Sequence, residues 1–298
     1  MSIKNISNPF IHLKVRTLFL RFFLLITLVG VTFGLTQGSI NMKKSNPQDL
    51  IVGLNIIIFV LLCLWSLLDF QRLGIKLKNI VGSISQNPRW FRLVGIVLLA
   101  LIFSISAYLV SFSLVSLAAP SFVEQILRDV AQRPSVSNSN SLVSNLITTF
   151  ALIVQAPITE EFIFRGIILQ RWSTKWGIRN GLLFSSLLFG FLHPNPIGLS
   201  LLGIILGLLY IKTRTLIVPI FCHAMNNTVV VVMQLIPTSN NNKAIPVAQQ
   251  IEQLRSAWLF GLVMMVITSI FLFRFLSRNW PSKDGLIPYF VNTQEEII

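Results

Sequence analysis

The chain has 298 residues, of which 53% are hydrophobic and 11% charged, and its mean hydropathy is +0.74. A soluble domain carries roughly 25% charged residues, so this composition excludes an ordinary soluble protein and indicates a polytopic membrane protein. The 24 Lys and Arg residues outnumber the 10 Asp and Glu residues. Because these cations lie at the ends of apolar runs, they are typical of cytoplasmic loops, and we expect no nucleic-acid partner.

Eight apolar runs predict about eight transmembrane helices in an all-α, polytopic integral membrane protein. The runs cover residues 18–36, 51–68, 93–118, 142–170, 180–193, 197–211, 215–236 and 256–276. The first run is long for the apolar core of a signal peptide, so we expect it to be retained. The fifth and sixth are short, and the Pro-rich sequence between them, residues 193–196, predicts a reversal of the chain.

The distribution of basic residues predicts the orientation in the membrane. With both termini in the cytoplasm, 17 Lys and Arg residues fall on the cytoplasmic side and 6 on the opposite side. Arg165 lies within a span and is left out of this count. The excess follows the positive-inside rule, so we expect a multi-pass protein with both termini cytoplasmic.

The fourth run carries two adjacent carboxylates, Glu160 and Glu161, shortly after Pro157. Pro157 predicts the start of a new helical segment. Glu161 and Arg165 are four residues apart in the favourable acid-before-base order, whereas Glu160 points about 100° away from Glu161. We therefore expect Arg165 to neutralise Glu161 and leave Glu160 facing a cavity as a general base. The alternative is an ion pair at a helix end near the membrane interface.

Two histidines lie in later apolar runs. Phe189 and His193 are four residues apart, so the aromatic ring could support the imidazole, and Gly190 would let a neighbouring helix approach. His223 and Asn227 share the same spacing and could act as two neutral donors that stabilise an oxyanion. The alternatives are an isolated histidine before a turn and a polar pair that only joins helices.

Two neighbours of His223 are expected to have structural roles. Asn226 projects from another face of the helix and predicts a hydrogen bond to a neighbouring helix. Cys222 is expected to be a buried and inert thiol.

The three helices place these groups at similar depths. At about 1.5 Å per residue, Glu160, His193 and His223 lie roughly 13–21 Å from the basic residues that end their helices. An ionisable side chain at such depth is costly and is by default a candidate for function. We therefore expect the three side chains to converge.

The three segments resemble the motifs of the CPBP intramembrane proteases, the ABI family, which includes type II CAAX prenyl endopeptidases. The motifs are Glu160-Glu161-x-x-x-Arg165, Phe189-x-x-x-His193 and His223-x-x-x-Asn227. The resemblance implies an eight-helix membrane fold with its active site in an intramembrane cavity. It divides the chain into N-terminal helices and loops at 1–141, a catalytic core at 142–236, and a final helix with a short cytoplasmic tail at 237–298.

The resemblance also implies roles for single residues. Glu160 and His193 would activate the water that attacks the scissile carbonyl. His223 and Asn227 would form the oxyanion hole. The other motif residues would support the site: Glu161, Arg165 and Phe189.

Zinc is an alternative to purely acid–base catalysis. A zinc site would use Glu160, His193 and His223 as ligands and leave a fourth position for water. The motifs do not form the His-Glu-x-x-His signature that favours zinc. We therefore expect metal-independent catalysis and no required cofactor.

The expected function is an intramembrane endopeptidase that acts on a membrane-associated protein or peptide, with a prenylated CAAX-type protein as one candidate. The expected partners are this substrate and the lipid bilayer. A non-catalytic scaffold, chaperone or bacteriocin-immunity protein on the same fold is an alternative, although every motif residue is present. An ion-coupled transporter is another, although the sequence shows no internal repeat.

Overall fold

The computed structural model describes residues 8–36, 47–84, 89–132, 136, 141–236 and 246–295. Within these ranges the secondary structure is helical and contains no β-strand, which confirms the predicted all-α class. Seven helical segments are long and apolar enough to cross a membrane. The chain is therefore a multi-pass integral membrane protein.

The helices follow one another in chain order, and two π-helical segments interrupt the fourth long one. Helices α1 to α5 span Val15–Thr36, Pro47–Leu73, Leu77–Val81, Trp90–Ala118 and Pro120–Ala131. Helices α6 to α8 span Leu142–Phe150, Ala156–Glu161 and Gln170–Trp176, and the π-helical segments Ala151–Gln155 and Phe162–Leu169 join them. Helices α9 to α13 span Ile178–Phe191, Pro196–Thr213, Ile217–Leu235, Val247–Asn279 and Pro288–Glu295.

Each of the eight predicted apolar runs contains a helix, but one of these helices is short. Helix α9 has 14 residues and is therefore about 21 Å long, less than the roughly 30 Å of a bilayer core. The chain then reverses at residues 193–196, as predicted. Asn195 stabilises this reversal, because its side chain accepts from Gly198 N and donates to the Ser104 carbonyl.

The fourth long helix continues through Pro157 as one helical segment, Leu142–Trp176. Pro157 lies in the first turn of α7, directly after the first π-helical segment. The second π-helical segment is buried over Ile163–Leu169 and lies in the main hydrophobic core together with Phe189 of α9 and Tyr210 of α10. The carboxylate pair is therefore placed between two π-helical turns, a feature that often marks functional sites.

The two described ends of the chain lie at the same face of the molecule. The rings of Phe10 and Tyr289 are 5.2 Å apart, and Asn79 donates to Thr293 Oγ1 over 2.9 Å. An even number of membrane crossings requires this arrangement. The side on which this face lies stays a prediction from the basic-residue count.

Candidate active site

Glu161 is fully buried, and together with its partner Arg165 it links its own helix to α10 and α11. Its Oε1 accepts a hydrogen bond from Arg165 Nη1 at 2.8 Å and another from His223 Nδ1 at 2.9 Å. The other end of the guanidinium donates to the Gly203 carbonyl of α10 at 3.0 Å. The structure thus contains the Glu161–Arg165 pair that the spacing predicts, and it uses that pair to fix His223.

Glu160 points in a different direction and takes no part in this ion pair. Its side chain is 17% exposed, and its Oε2 atom is buried without a hydrogen-bond partner among the described residues. This oxygen lies 3.8 Å from His193 Nε2 and 4.0 Å from His223 Nε2. The three polar groups that the depth argument predicts to converge therefore do so.

The hydrogen bond of His193 fixes its tautomer. Nδ1 lies 2.6 Å from the Phe189 carbonyl, and a carbonyl only accepts, so Nδ1 carries the proton. In the neutral ring, Nε2 then holds a lone pair that faces Glu160. Two acceptors separated by 3.8 Å cannot bond to each other, but one water can donate to both.

The same reasoning corrects one expectation for His223. Its Nδ1 donates to Glu161, which is ionised because it pairs with Arg165. The neutral ring therefore presents a lone pair at Nε2, not the neutral donor that the spacing alone predicts. His223 can donate from Nε2 only as an imidazolium.

Phe189 contacts more of the site than its spacing from His193 predicts. Its fully buried ring lies 4.6 Å from the His193 ring and meets the His223 ring edge-on at 5.7 Å. The Arg165 guanidinium lies 4.8 Å from the same ring. Phe189 therefore forms an apolar wall of the site that contacts both histidine rings and the Arg165 guanidinium.

Asn227 contacts the first π-helical segment. Its Nδ2 donates to the Leu152 carbonyl at 2.9 Å, and its Oδ1 accepts from Asn226 Nδ2 at 3.2 Å. Among the described residues it makes no hydrogen bond to Glu160 or to either histidine. The expectation that Asn226 bonds to a neighbouring helix is wrong, because its partner is the next residue of α11. Cys222 is fully buried, as expected.

Two backbone carbonyls complete the site, and sequence patterns did not predict them. Leu152 O holds Asn227 and Gly203 O holds Arg165. A backbone acceptor carries no residue signature, so only the packing of α10 and the π-helical turn could identify these two groups.

The residues of the alternative zinc site, Glu160, His193 and His223, fit the metal only in part. Both Nε2 atoms hold lone pairs, and both Nδ1–H groups are held by an acceptor, as in many metal sites. The spacings of 3.8 and 4.0 Å exceed the roughly 3.3 Å expected between two ligands of tetrahedral zinc. The described part of the chain contains no group of three His, Cys, Asp or Glu side chains placed to hold a metal ion.

Comparison with known proteins agrees with the motifs. The family model for the Rce1-like type II CAAX prenyl endopeptidases matches residues 142–229, which include every motif residue. The "Putative membrane peptidase YdiL" of Bacillus subtilis (strain 168) is 41% identical over 90 residues, 29% of this chain and 37% of that relative. The match thus spans little more than a third of the relative's length, and no solved structure matches the chain. The segment that carries the site is therefore similar to the Rce1-like, type II CAAX prenyl endopeptidases that the motifs resemble, and to a bacterial membrane protein named as a putative peptidase.

Proposed function

We propose that the chain is an endopeptidase that hydrolyses a peptide bond within or beside the membrane. One observation carries this proposal: the buried, unpartnered Glu160 Oε2 faces His193 Nε2 at 3.8 Å. A general base must reach its proton directly or through one water, and a water beside this pair lies within hydrogen-bond reach of both atoms. The family match and the name of the bacterial relative support the same activity.

The attacking water donates one hydrogen bond to Glu160 and one to His193, so that its oxygen lone pair points away from both. As the oxygen bonds to the scissile carbonyl carbon, Glu160 takes the proton. The same proton then passes to the amide nitrogen as the carbon–nitrogen bond breaks. The products are a new carboxyl terminus and a new amino terminus.

His223 and Asn227 stabilise the oxyanion in this proposal. His223 serves as an imidazolium, because Glu161 occupies its Nδ1–H and only the charged ring can donate from Nε2. This charge state also balances the site, since two carboxylates otherwise face the single cation of Arg165. Asn227 has two N–H groups, and Leu152 O uses one of them, so one donor is left for the oxyanion.

The proposed substrate is a membrane-associated protein or peptide, of which a prenylated CAAX-type protein is one candidate. The name of the matching family supports this class. Glu160, His223 and Asn227 lie on helices apolar enough to span the membrane, so a substrate that enters from the bilayer would reach them without crossing a soluble domain.

Hydrolysis in this proposal needs no metal, because the motifs lack the His-Glu-x-x-His signature that favours zinc and the described residues hold no group of three side chains placed to bind a metal ion. Elemental analysis of the purified protein should therefore find far less than one zinc per chain, and chelator treatment should leave both thermal stability and turnover unchanged. One tightly bound zinc per chain, whose removal lowers the unfolding temperature, would contradict this part of the proposal.

The test of the activity is quantitative peptide-terminus profiling of host membranes that contain equal amounts of wild type or Glu160→Gln. Glu124→Gln is the matched control, because Glu124 is a half-exposed carboxylate on α5 whose ion-pair partner in the described part of the chain is Arg128. New termini should appear with wild type and the control but not with Glu160→Gln. Identical termini in all three samples would favour a non-catalytic scaffold.

A further inference from the structure

A cavity separate from the candidate active site lies between the ends of α4, α10, α11 and α12. It encloses about 980 Å³ and opens to the outside of the helix bundle. This volume is at the upper end of the roughly 300–1,000 Å³ that small-molecule sites occupy. None of its lining residues belongs to the three motifs, so a ligand in it would not be held by the proposed catalytic residues.

The mouth of this cavity is strongly basic. Six cationic side chains and no carboxylate line it. Two of the six have partners, because Lys212 donates to Asn279 and Arg214 forms an ion pair with Glu295. Four have no hydrogen-bond or ion-pair partner in the part of the chain that the structure describes: Arg89, Arg92, Arg274 and Arg278.

The cavity changes from basic to apolar with depth. On α4 it extends from Arg92 to Leu99, and on α12 from Arg278 to Phe271. Each stretch rises about 10 Å along its helix. The arginines therefore lie toward the helix ends while an apolar wall continues about 10 Å along the spans, as expected of a pocket that opens at a membrane surface.

We propose that this cavity binds an anionic phospholipid, with its phosphate against the four unpartnered arginines and its acyl chains along the apolar wall. Guanidinium groups bind phosphate oxygens through paired hydrogen bonds. Basic pockets between transmembrane helices at the cytoplasmic surface suit anionic headgroups, and the basic-residue count assigns this face to the cytoplasm. The positive-inside rule accounts for cations at helix ends, but not for their convergence on one cavity with an apolar wall.

A bound lipid would contact the helix that carries part of the candidate active site. Val218 of α11 lines the cavity, and His223 follows about 7.5 Å further along the same helix. Because the lipid would join four helices of the folded protein, it would raise the temperature of unfolding.

The test is native mass spectrometry of the full chain in an uncharged detergent, with phosphatidylglycerol, phosphatidylcholine or glycerol 3-phosphate added. Wild type should bind phosphatidylglycerol at least about tenfold more tightly than phosphatidylcholine. This preference should be lost in a variant in which Gln replaces four arginines: Arg89, Arg92, Arg274 and Arg278. Binding of glycerol 3-phosphate as tight as that of the lipid would identify a soluble phosphate ester as the ligand and overturn the proposal.

A control variant that loses the same number of positive charges distinguishes a specific lipid site from a general effect of the protein's net charge. Four exposed cations that do not line the cavity are replaced by Gln: Lys14, Arg16, Arg72 and Lys283. This control should keep the preference for phosphatidylglycerol and its stabilising effect on unfolding. An equal loss in the control and in the cavity variant would refute a specific site.

A second variant tests the apolar part without any change of charge. Gly95 lines the cavity, and a Cβ at this position meets no atom within 4 Å, so Gly95→Phe adds an aromatic ring at a point where the cavity wall has open space. It should weaken lipid binding, whereas Gly53→Phe on α2, also in open space, should not. Unchanged lipid binding by a folded Gly95→Phe protein would contradict the proposal.

Discussion

Glu160 and Glu161 show how two identical neighbouring side chains take different roles. The helix turns them apart by about 100°, so Glu161 meets Arg165 and His223 while Glu160 stays outside the ion pair. The spacing within one helix was enough to predict this division. The contact of Glu161 with His223 was not predictable, because it depends on how α7 packs against α11.

Replacing Arg165 by Met should destabilise the protein strongly, because Glu161 would be left as a buried charge without its cation. Loss of one partner of a buried ion pair costs about 3–5 kcal/mol. Thermal unfolding in detergent measures this effect, with Arg171→Met as a control outside the site. Equal unfolding temperatures for the two variants would refute the stabilising role of the pair.

Replacing Asn227 by Ala should lower kcat by about 10²–10³, as expected for the loss of an oxyanion donor. Asn226→Ala is the matched control, since it removes only the hydrogen bond to Asn227 Oδ1. Both rates are measured per folded enzyme, because Asn227→Ala also leaves Leu152 O without its donor. A loss of less than about threefold in Asn227→Ala would contradict the oxyanion role.

The close packing of α9 against α10 positions His193. A Cβ at Gly190 would lie 2.5 Å from the Pro196 carbonyl and 2.1 Å from Ser200 Oγ, so only glycine permits this approach. The sequence predicted a close approach at Gly190 but not the partner helix. His193 follows three residues later, at the start of the reversal.

Gly190→Leu should therefore lower the free energy of unfolding by about 1–3 kcal/mol through overpacking. It should also reduce turnover, because α9 can only relieve the clash by moving away from α10 and taking His193 with it. Gly53→Leu, which meets open space on α2, is the control for both measurements. If Gly190→Leu kept the stability and turnover of wild type, the close approach of α9 and α10 would not be needed to position His193.

Hydropathy located all the long helices but not every element. It did not identify α5 and α13, because a short helix with one apolar face has no long apolar run. It did not identify the π-helical segments either, since Ala151–Gln155 and Phe162–Leu169 read as ordinary apolar helix. Their register depends on packing with neighbouring helices, which a pattern within one helix does not contain.

At the scale of the whole molecule, contacts near each end of the bundle agree with the predicted topology. At the face assigned to the cytoplasm, Asn8 donates to Thr174 and Arg179 to the Pro281 carbonyl. At the opposite face, Arg255 donates to Ser116. The sequence could predict which loops share a side, because that follows from the parity of the spans, but not which side chains meet there.

Cysteine labelling in intact cells tests the orientation. In a chain with Cys63 and Cys222 replaced by Ala, Gln132→Cys should react with a membrane-impermeant maleimide and Ser282→Cys should not. Permeabilised cells provide the control, since both positions are exposed and both should then react. If only Ser282→Cys reacted in intact cells, the protein would have the opposite orientation to the one proposed.

The most direct test of the account is cleavage, by purified protein in lipid vesicles, of the substrate that terminus profiling identifies. Wild type should cut the same bond as in cells, and Glu160→Gln should lose at least about 10²-fold in rate, the contribution of a general base. The unfolding temperature of the variant should match that of wild type. Turnover by folded Glu160→Gln close to the wild-type rate, or no cleavage by wild type, would contradict the assignment of Glu160 as the catalytic base.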